Sequence, residues 1–253
     1  MRVLDLFSGI GGFSLGLEAC GMTTTAFCER DPYCQSILKK HWPKTPVHTD
    51  VRNLDGKQYQ GSIDVVAGGF PCQPFSVAGK RLGSEDDRHL WPEMLRIIRE
   101  CRPRWVIGEN VSGFIKMALD SVSSDLEGEG YAVRAFVLPA VAVDALHRRD
   151  RCFIVAHKKD VADTDYKRSQ RRLCRREDSE WESELGHSRC RGSAHGQPRE
   201  KFWATQPRVC RVVDGVPNRV DRIKSLGNAV VPQLIQTIGE LVLAADKEIY
   251  AHE

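Results

Sequence analysis

The 253 residues contain no apolar run long enough to span a bilayer, so no membrane-spanning segment is expected. The N-terminus, Met1-Arg2-Val3-Leu4-Asp5-Leu6-Phe7, lacks a signal-peptide pattern and goes straight into a strand-like run carrying an acidic residue. Neither sign of charge dominates. Lys and Arg number 37 against 34 Asp and Glu, and a net charge of +3 does not by itself diagnose a nucleic-acid partner. No internal repeat is evident. The nine cysteines are an odd number and are scattered, which excludes a disulfide framework and fits a reduced, intracellular protein. Cys174, His187, Cys190 and His195 share a polar stretch, but their spacing matches no standard zinc module, and no metal is expected. What is left is an ordinary globular composition, 41% hydrophobic and 28% charged, sufficient for one large domain or for one domain plus a small one.

Strand-like and helix-like segments alternate through the first 156 residues. Val3–Phe7, Thr23–Cys28, Ile63–Ala67, Arg104–Gly108, Ala132–Leu138 and Arg151–Ala156 read as strands. Phe13–Cys20, Pro32–His41, Trp91–Arg102 and Ser112–Leu126 read as helices, with Asp31 capping the second and Pro103 stopping the third. This alternation predicts a doubly wound α/β fold with a mainly parallel sheet, in which ligands bind at the carboxyl ends of the strands. Beyond His157 the pattern stops. Residues 158–206 are polar, with a basic run at Arg168, Arg171, Arg172, Arg175 and Arg176 followed at once by acidic residues from Glu177 to Glu184. Taken alone, such a stretch reads as a solvated insertion. Order returns with a helix expected over Ala229–Ala245, introduced by Gly227-Asn228.

The chemistry concentrates at the strand ends. Asp5-Leu6-Phe7-Ser8-Gly9-Ile10-Gly11-Gly12 is a glycine turn between strand and helix, which lets a ligand approach the backbone. Nicotinamide, flavin and S-adenosylmethionine binders share that device. Glu29 ends the second strand, where an acid suits a ribose diol. Asp50, in His48-Thr49-Asp50-Val51, sits beyond a further strand expected between the Pro32–His41 helix and the Ile63–Ala67 strand, and suits an adenine amino group. Gly69-Phe70-Pro71-Cys72-Gln73-Pro74-Phe75-Ser76 follows the Ile63–Gly68 run. Prolines on either side of Cys72 stiffen the chain and display the thiol in one orientation, as a nucleophile requires. Most free cysteines are inert core residues, so the rest of the site decides. Glu109, at the end of the next strand, is expected to face the same crevice. A thiol and a carboxyl there suit attack on an electron-poor ring with acid assistance at a ring nitrogen. His147-Arg148-Arg149-Asp150-Arg151 is a basic cluster that suits phosphate contacts or is a plain surface patch.

Together these residues resemble the DNA (cytosine-5)-methyltransferases. Asp5–Phe13 is similar to the family's first motif, and Gly69–Ser76 with Ala78, Gly79 and Arg81 to its catalytic loop. Glu109-Asn110-Val111 is similar to its acid motif, and Gly227-Asn228-Ala229-Val230 to its last cofactor motif, all in the family's order. The likeness is strong over residues 3–156 and 222–233. It implies a Rossmann-like S-adenosylmethionine-dependent fold, with residues 1–157 as the catalytic and cofactor-binding domain, 158–206 as a small target-recognition region, and 207–253 returning to the catalytic domain. It also implies roles. Cys72 would add to C6 of a flipped-out cytosine, Glu109 would act at N3, and Asn110 would brace the loop. Arg149 and Arg151 would lie near the target nucleotide. Phe7, Gly9, Gly11, Glu29, Asp50, Phe70 and Asn228 would hold S-adenosylmethionine. The implied setting is a monomer acting on double-stranded DNA in the cytoplasm of a bacterial or phage-infected cell, with a companion restriction endonuclease. Three departures from the family pattern stand out. His147 replaces the usual glutamine, the segment at Arg88-His89-Leu90-Trp91 is compressed, and Arg208–Val220 holds no counterpart of the motif that normally precedes the last one.

Two other classes compete. A non-catalytic DNA-binding protein on the same fold would have been favoured by loss of Cys72 or Glu109, and both are present. A nicotinamide oxidoreductase explains the glycine turn but not Pro71-Cys72-Gln73 or the basic cluster. Titration with S-adenosylmethionine against NAD separates the oxidoreductase from the methyltransferase reading.

Overall fold

The computed structural model describes residues 1–71, 90–145, 147–159 and 219–250. Seven strands form one sheet: β1 (Arg2–Leu6), β2 (Thr23–Cys28), β3 (Val47–His48), β4 (Val65–Gly68), β5 (Trp105–Val111), β6 (Tyr131–Pro139) and β7 (Asp150–Lys158). Their order across the sheet is β3-β2-β1-β4-β5-β7-β6. β1 to β5 pair in parallel, while β7 runs antiparallel to both β5 and β6. The expected doubly wound, mainly parallel sheet is therefore present. Its strand order reverses between β1 and β4, the place where such sheets open a crevice beyond the strand carboxyl ends.

The central strands explain the position of the core. All four residues of β4 and the first six of β5 are buried, as strands covered on both faces must be. Alternation then sorts side chains between two layers. Leu4, Leu6 and Val66 face a cluster with Met94, Ile98 and Leu126, whereas Val3, Val65 and Ile107 face one with Leu17, Leu234, Ile235 and Ile238.

Helices α1 (Gly12–Ala19), α2 (Pro32–His41) and α3 (Trp91–Cys101) lie within a residue or so of expectation. Asp31 caps α2 by accepting from the Tyr33 amide at 2.9 Å, with Pro32 at the first helical position. α3 ends at Arg102, which takes the left-handed conformation (φ 49°) just before Pro103. The helix expected over 112–126 is instead two, α4 (Phe114–Met117) and α5 (Leu119–Gly128), because Ala118 leaves helical geometry at φ −148°. The break lets Phe114 meet Phe70 edge-on, with ring centres 5.5 Å apart, while Val122 and Leu126 reach the core.

At the C-terminus the structure again has two helices where one is expected: α6 (Arg219–Asn228) and α7 (Pro232–Ile249). Pro232 forces the preceding Val231 into extended geometry, so the helix must restart there. Gly227 and Asn228, expected as lead-in, belong to the end of α6. By length and hydropathy alone, Val220–Ile249 is the one stretch among the described residues that could cross a membrane. It is interrupted at Ala229–Val231, and α7 buries Leu234, Ile235, Ile238 and Val242. Close approach of α7 to α1 depends on glycine. A Cβ on Gly16 would collide with the Pro232 carbonyl oxygen, and one on Gly239 would lie 2.6 Å from Cys20 Sγ.

Candidate active site

Beyond the carboxyl ends of β1, β2, β4 and β5 lies a cleft of about 720 Å3, within the usual range for small-ligand sites. Its walls come from the β1–α1 turn (Phe7, Ser8, Gly9), the β2–α2 junction (Glu29, Arg30, Asp31), the β4 end (Gly69, Phe70, Pro71), the β5 end (Glu109, Asn110) and the α6–α7 junction (Asn228, Ala229, Val230). Phe7 is held at φ 54°, a conformation that strains a non-glycine residue and that persists where the surroundings over-determine it. One carboxylate organises the turn that follows. Glu29 accepts from the Gly9 amide through Oε2 at 2.7 Å and from the Asp31 amide through Oε1 at 2.7 Å.

On the other side of the cleft sits a buried acid paired with arginine. Arg151 stands opposite Val111 in the β5–β7 ladder, so the diagonal places its side chain over Glu109. Arg151 Nε lies 2.9 Å from Glu109 Oε1. Burial pushes the Glu109 carboxyl above its ordinary value, and the charges of Arg151 and Arg149 oppose that shift. Gly69 makes room for the acid, since a Cβ there would lie 2.9 Å from Glu109 Oε2. Asn110 donates from Nδ2 to the Phe70 carbonyl at 2.9 Å and ties the β5 end to the turn that leads into Cys72. Phe70 itself packs against Trp91, ring centres 5.0 Å apart. The Leu90 amide donates to the Pro71 carbonyl at 3.4 Å, and both residues lie on the cleft wall.

Beneath the glycine turn, Asp5 substitutes for a missing helix cap. Gly11 at the α1 N-cap has no side chain to offer. Asp5 Oδ2 instead accepts from the Ser14 amide at 3.2 Å and from Ser14 Oγ at 2.7 Å, while Oδ1 is buried without a hydrogen-bond partner among the described residues. Burial, only partly offset by Ser14, pushes this carboxyl up from 3.8 to about 7. The folded protein therefore keeps a proton between those values that the unfolded chain releases. Stability should fall as pH rises from about 4 to about 7, by on the order of 4 kcal/mol for this group. Asp5→Asn cannot titrate. In urea denaturation its stability relative to the parent should improve by about 1 kcal/mol per pH unit between pH 5 and 7. A difference that stays constant over that range would show Asp5 to be ionised throughout.

Of the residues expected to form the site, the structure gathers Phe7, Gly9, Glu29, Phe70, Glu109, Asn110, Arg151 and Asn228 around the one cleft. Gly11 is not on its wall. Gly11 adopts φ 87°, and a Cβ there would lie 2.7 Å from the Trp42 ring. Asp50 also stands off the wall, where its Oδ1 accepts from the Arg52 amide at 3.0 Å and caps a short turn. Arg149 points to the α6–α7 junction. Cys72 lies outside the described residues, as do residues 160–218, which hold most of the expected recognition region. Sequence reasoning missed Arg30, Asp31, Cys34, Lys224 and Ser225, all on the cleft wall. Lys224 and Ser225 were hidden because α6 carries its apolar residues outward. Val220, Ile223 and Leu226 are 78%, 57% and 66% exposed, the reverse of the usual amphipathic signal.

A sheet of this order, with a glycine turn and an acidic β2 end facing a buried acid paired with arginine across one crevice, is that of a doubly wound α/β protein with its cleft at the strand carboxyl ends. The C-5 cytosine-specific DNA methylase family model matches residues 1–200, and the chain belongs to that family. It is 34% identical over 182 residues to the type II methyltransferase M.HgiCII of Herpetosiphon aurantiacus, covering 68% of this chain and 42% of that protein. It is 38% identical over 168 residues to M.Eco47II of Escherichia coli, covering 64% and 40%. The chain thus spans less than half the length of these two relatives. In fold it is similar to a DNMT2 from Spodoptera frugiperda, with a TM-score of 0.55 at 23% identity over 64% of this chain and 51% of that one.

Proposed function

We propose that the chain methylates C5 of cytosine in double-stranded DNA through a covalent adduct between Cys72 and C6 of a flipped-out base. The observation that carries this reading is buried Glu109, paired with half-buried Arg151, in the same cleft as the Phe7–Gly9 turn and Glu29, with Pro71, the residue before Cys72, on its wall. The Cys72 thiolate adds to C6 and the C5–C6 π electrons move toward C5 and N3. Glu109 holds a proton at N3 and so neutralises charge developing on the ring, while Arg151 fixes the orientation of its carboxyl. C5, so activated, would take the methyl group that a bound S-adenosylmethionine would supply, its thioether being the leaving group, and loss of the C5 proton then expels the thiolate and restores the ring.

The cleft suits S-adenosylmethionine. Phe7 and Phe70 give it aromatic walls, Gly9 stays open with nothing within 4 Å of a Cβ position, and Glu29 and Asn228 supply polar partners. When bound, that cofactor supplies an electrophilic methyl group. We assign residues 158–206 to target recognition, and take the protein to act as a monomer in the bacterial cytoplasm beside a nuclease of the same specificity. Bisulfite sequencing of DNA from cells expressing the chain tests the activity. Protected cytosines within one recurring sequence are expected, and conversion equal to that of control cells would refute the function.

A further inference from the structure

We infer that Arg149 is a positioning residue that fixes the Asn228 turn beside the cofactor and thereby links the base-binding strand to the cofactor cleft. The inference rests on the function proposed above. Resemblance alone placed Arg149 next to the nucleotide, but its side chain is already engaged. Arg149 Nη2 donates to the Gly227 carbonyl at 2.7 Å and to the Ala229 carbonyl at 2.9 Å. Those carbonyls flank Asn228, and Asn228, Ala229 and Val230 line the cleft. The backbone of Arg149 is bent to φ 38°, a strained conformation for a non-glycine residue at the entry to β7.

The turn is gripped from two further directions. Gly12 admits Val230 so closely that a Cβ would lie 2.9 Å from Val230 Cγ2. On the far side of α6, Lys224 Nζ donates to Asp31 Oδ2 at 2.7 Å, and Ser225 Oγ lies 3.4 Å from Cys34 Sγ. Those contacts anchor the turn to α1 and α2. The Arg149 bonds tie it to the strand that carries Arg151, and through Arg151 to Glu109. The turn beside the cofactor cleft and the strand that carries the Glu109 partner are therefore held together through Arg149.

A strut and a phosphate contact demand different things of this side chain. A phosphate contact needs charge, which lysine retains. Bridging these two carbonyls at 2.7 and 2.9 Å needs a donor at the reach of the guanidinium Nη2, one bond beyond a lysine Nζ. Arg149→Lys and Arg149→Ala are compared with the parent protein in three measurements. Isothermal titration without DNA reads S-adenosylmethionine affinity, anisotropy without cofactor reads duplex DNA affinity across salt, and hydrogen–deuterium exchange reads the amides of residues 228–231. Both variants should weaken cofactor binding about tenfold, as loss of charge-assisted hydrogen bonds does. Both should speed exchange at 228–231, with DNA affinity and its salt slope unchanged within twofold. A lysine variant that keeps cofactor affinity and exchange protection would overturn the inference. So would a salt slope reduced by about one with the cofactor affinity intact, the mark of a lost phosphate contact. A parent protein that binds no S-adenosylmethionine would refute the functional reading, while exchange at 228–231 would still show whether Arg149 holds the turn.

Discussion

Cys72→Ser should abolish cytosine methylation, with single-turnover methyl transfer reduced by about 10⁴-fold or more, the scale on which removing a nucleophile acts in other enzymes. The substitution changes one atom and nearly nothing in shape. A serine hydroxyl is almost never ionised near neutral pH, whereas a thiol close to cationic groups is readily so. S-adenosylmethionine affinity should stay within twofold, because the contacts assigned to the cofactor come from other residues. The other cysteines that the structure describes cannot take over. Burial raises the thiols of Cys20, Cys34 and Cys152, and pushes those of Cys28 and Cys101 up to about 12. Replacing any of these five singly should leave methyl transfer within a few-fold, apart from losses of stability. A serine variant that still transfers methyl groups within tenfold of the parent would remove Cys72 from the chemistry.

Glu109→Gln should lower turnover by about 10²-fold or more, the usual worth of a positioned general acid. Glutamine keeps the shape, and its oxygen can still accept from Arg151, but it has no acidic proton. The sign of the pH effect follows from the environment. Burial raises the Glu109 carboxyl and Arg151 only partly opposes this, so the acid holds its proton to higher pH than an exposed glutamate would. If the protonated form acts at N3, the parent's turnover falls as pH rises through that raised value, and the fall vanishes in the glutamine variant. Cofactor affinity should be unchanged in both. Equal loss of cofactor binding in Glu109→Gln and Glu29→Ala would show that the two acids have been given the wrong roles.

The elements that could be read from sequence are those whose cause is local. The strands of the central sheet stand out because burial on both faces demands a continuous apolar run, and the β4 and β5 patterns show it. Glu29, Glu109 and Asn110 were visible as polar residues that end such runs. Asp31 and Pro32 announced α2 through cap chemistry within three residues. The residues that escaped depend on distant partners. Gly11 sits in a glycine turn that invites a ligand reading, yet its neighbour is the Trp42 ring. Trp42 is held there by Glu18, which accepts from its indole nitrogen at 2.9 Å. Asp50 follows a strand as a cofactor ligand would, but turns back on its own chain to cap the next turn. The carbonyl partners of Arg149 lie 78 and 80 residues further along, beyond the reach of any periodicity. α6 was missed because its cleft-facing residues are polar and its apolar ones face outward, so the hydrophobic pattern points away from the site it serves.

The central claim is that a bond forms between Cys72 and C6 of the target cytosine, and trapping tests it most directly. A fluorine at C5 leaves no proton to be lost after methyl transfer, so the adduct cannot collapse. Duplex DNA carrying 5-fluorocytosine at the target cytosine, incubated with the protein and S-adenosylmethionine, should give a complex that survives denaturation, with peptide mapping placing the link at Cys72. A protein that methylates ordinary cytosine yet forms no such complex, or a complex that persists in Cys72→Ser, would contradict the account.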